Sequence, residues 1–202
     1  MRVMIVGQKW FGAEVLKLCL ARGDDVAAVS APRVDDRLAA LAVDAGVPLC
    51  QVDKRLEAAW VPDGVDLILC AHAHAFVTAG ARAKARLGAL GYHPSLLPRH
   101  RGRDAIVWAL HMREVVTGGT AYWLDDGADT GDIAAQDWCW VKPDATAESL
   151  WRDELAPMGL RLLGDVMARL DSGEVPRLPQ DPRMATWEPA YMAKRLSAVK
   201  CV

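Results

Sequence analysis

Short apolar runs alternate with amphipathic segments through the first half of the chain. Four mostly apolar runs have the character of strands buried on both faces of a parallel sheet, at residues 2–6, 26–29, 47–50 and 66–70. Segments whose apolar positions have helical spacing follow or separate these runs, at residues 11–21, 36–45 and 79–87. Strands and helices that alternate with short links predict right-handed βαβ units. We therefore expect an α/β fold with a mostly parallel, doubly wound sheet.

The second half of the chain has a different pattern. Residues 117–124 and 133–140 are rich in β-branched and aromatic side chains and flank an acidic turn, which predicts an antiparallel pair added late in the chain. Residues 146–170 have helical periodicity, with Pro157 and Gly159 predicting a kink. Beyond residue 181 we expect no regular element. We interpret residues 1–181 as one catalytic domain and 182–202 as a C-terminal tail.

Composition limits the partners and the cellular location that we expect for the protein. A net charge of -2 over 202 residues gives no long-range field that would attract nucleic acid. The five cysteines form no CxxC pair and no zinc-like cluster, so we expect buried reduced thiols and a cytoplasmic location. No apolar stretch approaches the roughly 20 residues of a membrane span, so we expect no membrane association.

The first glycine turn is a weak candidate for nucleotide binding. Its sequence is GQKWFG, from Gly7 to Gly12, rather than GxGxxG, and Trp10 is bulky where a backbone would approach a pyrophosphate. No acidic residue caps the second strand, because Val29, Ser30 and Ala31 are uncharged. A nucleotide-dependent oxidoreductase is therefore only a minor alternative, and we interpret this turn as structural.

The strongest chemical candidates are one histidine and one aspartate. His93 follows a short apolar run, residues 90–92, at the strand end where open α/β sheets bind ligands. Asp129 lies in a turn between Gly127 and Gly131, which can fold over that edge. A carboxylate near an imidazole stabilises the imidazolium, so the pair would move protons near neutral pH. From these residues alone, a structural histidine remains an alternative.

Two clusters invite a metal interpretation that the spacing does not support. His72 and His74 have no evident third ligand, and the turn containing Asp125, Asp126 and Asp132 lacks the oxygen spacing of a calcium loop. We expect no metal. The loop that lies between these two clusters in the sequence is basic and contains Arg99, His100, Arg101 and Arg103. It is either a solvated loop or a patch that captures an anionic substrate.

Four motifs carry a family resemblance that covers about residues 1–190. GQKWFGAEV, YHPSLLPRHRG, DDGADTGDI and PRLPQ together resemble the 10-formyltetrahydrofolate-dependent formyltransferase family. The motifs look closest to the hydrolase domain of 10-formyltetrahydrofolate dehydrogenase, and they are also similar to the N-terminal domain of methionyl-tRNA formyltransferase. The resemblance implies a Rossmann-like sheet and a folate pocket.

The resemblance also implies roles for individual residues. His93 would be the proton shuttle and Asp129 its support, with 10-formyltetrahydrofolate as cosubstrate and a small amine or water as acceptor. Folate contacts are expected from Phe76, Val77, Leu97, Asp126 and Gly127. Substrate contacts are expected from the loop residues Ser95, Arg99, Arg101 and Arg103. Because such tRNA enzymes carry a further C-terminal subdomain that 202 residues would not hold, we expect that tRNA is not the acceptor.

Gly91 is the one departure from the family pattern. Most transferases of the family have an Asn–x–His triplet, whose asparagine helps to hold the formyl oxyanion, and Gly91 stands at the asparagine position. Residues 91 and 93 of a strand share a face, so both would meet the substrate while Tyr92 points away. Losing an oxyanion donor costs about 10²–10³ in rate. Water, a backbone N–H or Gln8 are candidate replacements, and a non-catalytic folate-binding protein is the alternative function.

Overall fold

The computed structural model describes residues 1–191, so Cys201 and the end of the predicted tail lie outside the described residues. The strands are β1 (Arg2–Gly7), β2 (Asp25–Ala31), β3 (Leu49–Gln51), β4 (Arg55–Leu56), β5 (Leu67–Ala71), β6 (Phe76–Val77), β7 (Ala89–His93), β8 (Val116–Trp123) and β9 (Ile133–Trp140). The α-helices are α1 (Lys9–Arg22), α2 (Arg37–Asp44), α3 (Ala79–Lys84), α4 (Ala105–His111), α5 (Ala147–Leu150) and α6 (Ala156–Asp171). Short 3₁₀ helices span Ala58–Trp60 and Pro182–Met184.

One seven-stranded sheet organises the chain, in the order β3-β2-β1-β5-β7-β8-β9. The strands from β3 to β7 pair in parallel, whereas β8 pairs antiparallel with both β7 and β9. The chain winds from β1 outward to β3 and then returns to the other side of β1 for β5 and β7. This topology confirms the predicted mostly parallel, doubly wound sheet and its late antiparallel addition. A separate small sheet pairs β4 with β6.

Alternating side chains of the buried strands supply two hydrophobic layers. In β1, Val3 and Ile5 pack with the apolar faces of α1, α2 and α6, while Met4 and Val6 pack on the opposite side with α3 and the small sheet. Successive strand residues point to opposite faces, so a strand covered on both sides must be apolar at every position. This explains why the parallel strands are continuous apolar runs in the sequence.

The long helical segment near the C-terminus is interrupted, but not where the sequence pattern placed the kink. A π-helical turn spans Trp151–Leu155, between α5 and α6, and Pro157 lies in the first turn of α6. Proline has no N–H, so the carbonyl of Asp153 has no donor four residues later. The wider turn just before Pro157 accommodates this missing hydrogen bond.

The sequence predicts buried, reduced thiols. Cys19 and Cys70 are buried, Cys50 and Cys139 are partly buried, and all four are free thiols. Burial raises the pKa of Cys19 and of Cys70 to about 12. Among residues 1–191, no helix combines the length and the apolar character that crossing a membrane requires.

Candidate active site

A large cleft opens at the carboxyl edge of the sheet, where β5 and β7 end. Its volume is about 1030 Å³, and His93 and Asp129 both line it. The strand order reverses its direction between β1 and β5, next to this edge. Ligands of open α/β sheets bind at such a switch point, beyond the carboxyl ends of the strands. The cleft therefore lies where the topology predicts a binding site.

His93 is the last residue of β7, and its ring is held in one orientation. Its Nε2 lies 2.7 Å from the carbonyl oxygen of His100. A carbonyl oxygen only accepts hydrogen bonds, so Nε2 carries the proton when the ring is neutral. The lone pair is then on Nδ1, which faces Asp129 Oδ2 at a distance of 3.6 Å. The nitrogen that can take up a proton is thus the one beside the carboxylate.

Asp129 has both carboxylate oxygens fixed by donors other than His93. Its Oδ1 accepts a 2.6 Å hydrogen bond from the hydroxyl of Tyr122, and its Oδ2 accepts one of 2.7 Å from the backbone N–H of Gly102. The Asp129 backbone has a φ of 57°, in the left-handed region. This conformation is uncommon outside glycine, although aspartate is among the residues that adopt it more often. The turn holds Asp129 in this uncommon conformation.

Local hydrogen bonds explain why the acidic turn has its sequence. Asp125 Oδ1 accepts from the N–H of Gly127 and from the Thr130 hydroxyl, which closes the turn on itself. A Cβ on Gly127 would lie 1.9 Å from Thr130 Oγ1, and one on Gly131 would lie 1.7 Å from the Trp123 carbonyl oxygen. Neighbouring atoms therefore lie too close to both glycines for a Cβ, and this close approach, rather than a chemical role, explains the two residues.

Gln180 fixes the same turn from outside. Its Nε2 donates to the carbonyl oxygens of Asp129 and Gly131, at 3.0 and 2.7 Å. Its Oε1 accepts from the guanidinium of Arg101. The PRLPQ motif thus contributes to the site by holding the backbone that carries Asp129.

Gly91 does not line the cleft, contrary to the expectation from strand alternation. Gly91 and His93 do share a face, and the Tyr92 hydroxyl on the opposite face donates to the carbonyl oxygen of Leu155, although Tyr92 also lines the cleft. However, a Cβ on Gly91 would lie 2.9 Å from Leu124 Cδ1 and 3.3 Å from Tyr122 Cε1. A side chain at position 91 would therefore require the Leu124 side chain, and to a smaller extent the Tyr122 ring, to shift. Gln8, the suggested substitute, is also not part of the cleft wall.

The predicted cationic patch does not form as a unit. Arg99 pairs with Glu114, Arg101 is bonded to Gln180, and His100 is buried, with only 1% of its surface exposed. Only Arg103 of the four lines the cleft. The positive charges are neutralised or turned inward because acidic and polar partners from distant parts of the chain pack against the loop.

His100 lies between two glutamates. Its Nε2 is 3.1 Å from Glu114 Oε1, and its Nδ1 is 3.1 Å from Glu188 Oε2. The ring nitrogens do not have hydrogen-bond geometry with these oxygens, so the contacts are ionic when the ring is protonated. The N–H of His100 also donates to the Thr186 hydroxyl. Residues 186–188 are thereby attached to the loop whose carbonyl group orients His93.

The predicted folate contacts divide into two groups. Phe76, Val77, Asp126 and Gly127 line the cleft. Leu97 does not; its side chain is buried, its N–H is bonded to Thr120, and its carbonyl oxygen accepts from Gln136. The predicted role of Leu97 has no support from the cleft geometry.

The predicted substrate loop is divided in the same way. Arg103 reaches the cleft wall, whereas Ser95, Arg99 and Arg101 do not. Ser95 is fully buried, and its hydroxyl donates to the carbonyl oxygen of Arg99. Their substrate contacts remain predictions from the sequence.

His72 and His74 also line the cleft, with ring centroids 5.6 Å apart. Desolvation at the cleft wall, followed by the nearby Lys9, lowers the pKa of both imidazoles. The two rings are therefore neutral near pH 7 and present polar, uncharged groups. In the part of the chain that the structure describes, no group of three or more His, Cys, Asp or Glu side chains is arranged to hold a metal.

Comparison with known protein families agrees with this geometry. The model of the family described as formyl transferase matches residues 48–157, more than half of the chain. This chain belongs to the formyl transferase family. The matched segment contains both His93 and Asp129.

Curated relatives of this formyl transferase chain include two kinds of enzyme. The human cytosolic 10-formyltetrahydrofolate dehydrogenase is 34% identical over 201 residues, which is 93% of this chain but 22% of that protein. Methionyl-tRNA formyltransferase from Acidobacterium capsulatum is 34% identical over 212 residues, covering 94% of this chain and 65% of that protein. The chain thus spans about a fifth of the length of the dehydrogenases that it matches.

Solved structures share the fold. The N-formyltransferase from Helicobacter canadensis, solved with folinic acid and dTDP-3-aminofucose, superposes with a TM-score of 0.75 at 18% identity. The match covers 92% of this chain and 70% of that one. The formyltransferase fold predicted from the sequence motifs is therefore confirmed.

Proposed function

We propose that this protein removes the formyl group from 10-formyltetrahydrofolate and passes it to an amine or to water. One observation carries the proposal: in a large cleft at the switch point of the sheet, Nδ1 of His93 faces the carboxylate of Asp129 at 3.6 Å. The family relationship supports formyl chemistry, and the folate complex of the Helicobacter canadensis relative supports a folate as the donor.

The proposed reaction balances without an oxidant or a reductant. A nitrogen of the amine, or the oxygen of water, forms a bond to the formyl carbon. The bond between that carbon and the folate nitrogen then breaks. The attacking group loses one proton and the folate nitrogen gains one, so the protein has only to move a proton between them. General acid–base catalysis of this kind contributes about 10²–10⁴ in rate.

His93 is suited to moving that proton. Its Nδ1 accepts the proton from the attacking group, and the resulting imidazolium then gives a proton to the leaving nitrogen. Nε2 keeps its own proton throughout, because the carbonyl oxygen of His100 holds it. Asp129 stabilises the imidazolium electrostatically, at a distance that is too long for a hydrogen bond in the free protein. Such contacts often shorten when substrate binds.

The wall of the cleft is suited to a folate. Phe76 and Val77 offer an apolar surface, and Asp126 and Gly127 add a carboxylate and a backbone group. The guanidinium of Arg82 connects the two parts, because it donates to the Val77 carbonyl oxygen and to Asp126 Oδ1. Binding sites for small molecules combine apolar walls with a few placed polar groups in this way. Arg103 gives the cleft a positive charge that favours the glutamate end of a folate. These four wall residues and Arg103 form the proposed folate site.

Product analysis tests the proposal and assigns the acceptor. The protein is incubated with 10-formyltetrahydrofolate alone, with small amines and amino sugars, and with methionyl-tRNA. We expect tetrahydrofolate in at least one incubation. Formate in the first would mark a hydrolase, and a formylated product in the others would mark a transferase and identify its acceptor. Folate that binds but remains unchanged in all three incubations would instead show a non-catalytic folate-binding protein.

A further inference from the structure

Tyr122 makes a direct hydrogen bond to the proposed catalytic aspartate. In the antiparallel pairing of β7 with β8, Tyr122 is directly opposite Gly91 and two residues along from Thr120, the partner of His93. Its ring lies edge-on to the imidazole of His93, with centroids 6.5 Å apart. Its hydroxyl donates to Asp129 Oδ1 at 2.6 Å. One side chain therefore touches both members of the pair.

Gly91 is what allows this arrangement. Cross-strand neighbours on one face have Cβ atoms only about 4.5–5.5 Å apart, so a side chain at position 91 would compete with the ring of Tyr122. The structure shows this crowding, since a Cβ at position 91 would lie 3.3 and 3.5 Å from two ring carbons of Tyr122. Gly91 and Tyr122 are a matched pair, in which the absent side chain of one leaves room for the ring of the other.

The hydroxyl determines which way the carboxylate faces. Asp129 is carried by a turn, and its carboxylate would otherwise rotate about its last side-chain bond. Donation from Tyr122 fixes Oδ1, and donation from the Gly102 N–H fixes Oδ2 on the side of His93. A hydrogen bond to an ionised acceptor is about twice as strong as one between neutral groups.

We propose that Tyr122 is a positioning residue for formyl removal: it holds the Asp129 carboxylate toward Nδ1 of His93. The inference rests on the proposed function. Burial, with the neighbouring Asp129 second, raises the pKa of the Tyr122 hydroxyl well above its ordinary value of 10.0. The hydroxyl therefore remains a donor over the whole pH range in which the enzyme would work.

The first test compares two tyrosine-to-phenylalanine variants. Tyr122→Phe keeps the ring and removes only the hydroxyl. Tyr191→Phe is the control, because Tyr191 is not part of the cleft wall and its hydroxyl lies near Nδ1 of His111 rather than Asp129. We expect Tyr122→Phe to lower kcat about 10- to 100-fold with little change in KM, as for a misplaced catalytic group. Tyr191→Phe should retain the wild-type kcat.

A double-mutant cycle distinguishes positioning from a general loss of structure. If Tyr122 acts through Asp129, then Tyr122→Phe should change kcat less than about twofold when Asp129→Asn is already present. The inference would be overturned if Tyr122→Phe lowered kcat as much in the Asp129→Asn background as it does in the wild type. So would a Tyr122→Phe variant with wild-type kcat.

Amide hydrogen exchange tests the same inference without turnover. The Gly102 N–H is bonded to Asp129, so Tyr122→Phe should speed its exchange and that of residues 125–131, while Tyr191→Phe should not. If the wild-type protein proved inactive on 10-formyltetrahydrofolate, the proposed function would fail alone. Exchange would then decide the inference: faster exchange in Tyr122→Phe supports it, and unchanged exchange contradicts it.

Discussion

Nε2 of His93 lies 2.7 Å from the carbonyl oxygen of His100, and this contact determines which nitrogen of the ring carries a proton. Because Nε2 is occupied, Nδ1 is the basic atom, and it is the atom that faces Asp129. The position of the His100 carbonyl therefore matters for the chemistry, although the His100 side chain is buried away from the cleft.

Glu188→Gln tests how the His100 loop is held. Glu188 is one of the two carboxylates beside the buried imidazole, so the change removes one of its two acidic contacts. We expect the free energy of unfolding to fall by about 1–3 kcal/mol, together with a lower kcat as the His100 carbonyl shifts. Denaturant unfolding and steady-state kinetics measure the two effects. Glu174→Gln is the control, because Glu174 pairs with Arg169 at the surface. If Glu188→Gln, Glu174→Gln and the wild type were equally stable, the role of Glu188 in holding the His100 loop would be contradicted.

Gly91→Asn tests whether the missing asparagine can simply be restored. The structure predicts that it cannot, because Leu124 and Tyr122 occupy the space and overpacking costs about 1–3 kcal/mol. We expect Gly91→Asn to be less stable and less active than the wild type. Adding Leu124→Ala should recover stability, since it removes the atom that lies nearest. A Gly91→Asn protein that is as stable as the wild type and more active would show that the cleft has room for the amide.

Alkaline unfolding tests the environment of Tyr122. Burial raises its pKa in the folded state, whereas in the unfolded chain the hydroxyl ionises near 10.0. The folded state therefore holds a proton that the unfolded state has lost, and stability falls as the pH rises above about 10. One such group contributes up to about 1.36 kcal/mol per pH unit. In denaturant unfolding between pH 8 and 11, Tyr122→Phe should show a shallower loss than the wild type. Identical slopes would indicate a solvated hydroxyl.

Arg103→Ala tests the charge on the cleft wall. Arg103 is exposed and lines the cleft, so its proposed role is to attract the glutamate end of the folate. We expect KM for 10-formyltetrahydrofolate to rise about 5- to 10-fold with kcat unchanged, and the effect to weaken at high salt. Arg33→Ala, an exposed arginine that is not part of the cleft wall, is the control. An unchanged KM in Arg103→Ala would remove Arg103 from the folate site.

The sequence identified the parts of the site that are marked by local signals. His93 follows an apolar strand and Asp129 lies in a glycine-bounded turn, and both signals come from chain neighbours. Gly7 could likewise be interpreted as structural, and the structure gives the reason: a Cβ there would lie 2.1 Å from the Ala71 carbonyl oxygen. The mostly parallel, doubly wound sheet followed from the alternation of apolar runs and helices.

Contacts between distant segments could not be predicted in this way. Tyr122 occurs in a β-rich run, which indicates its face but not the partner of its hydroxyl. His100 has basic neighbours and was expected to be solvated or to bind an anion, but Glu114 and Glu188 reach it from other parts of the chain. Glu188 lies among mostly apolar residues in the segment ATWEPAY, residues 185–191, but this segment was interpreted as part of the tail.

His93→Ala is the most direct test of the central claim, which is that His93 moves the proton during formyl removal. Release of tetrahydrofolate from 10-formyltetrahydrofolate is measured for this variant, for the wild type and for His111→Ala, which changes a histidine outside the cleft wall. We predict a loss of about 10²–10⁴ in kcat for His93→Ala with an unchanged melting temperature, and wild-type turnover for His111→Ala. Wild-type turnover by His93→Ala would contradict the account.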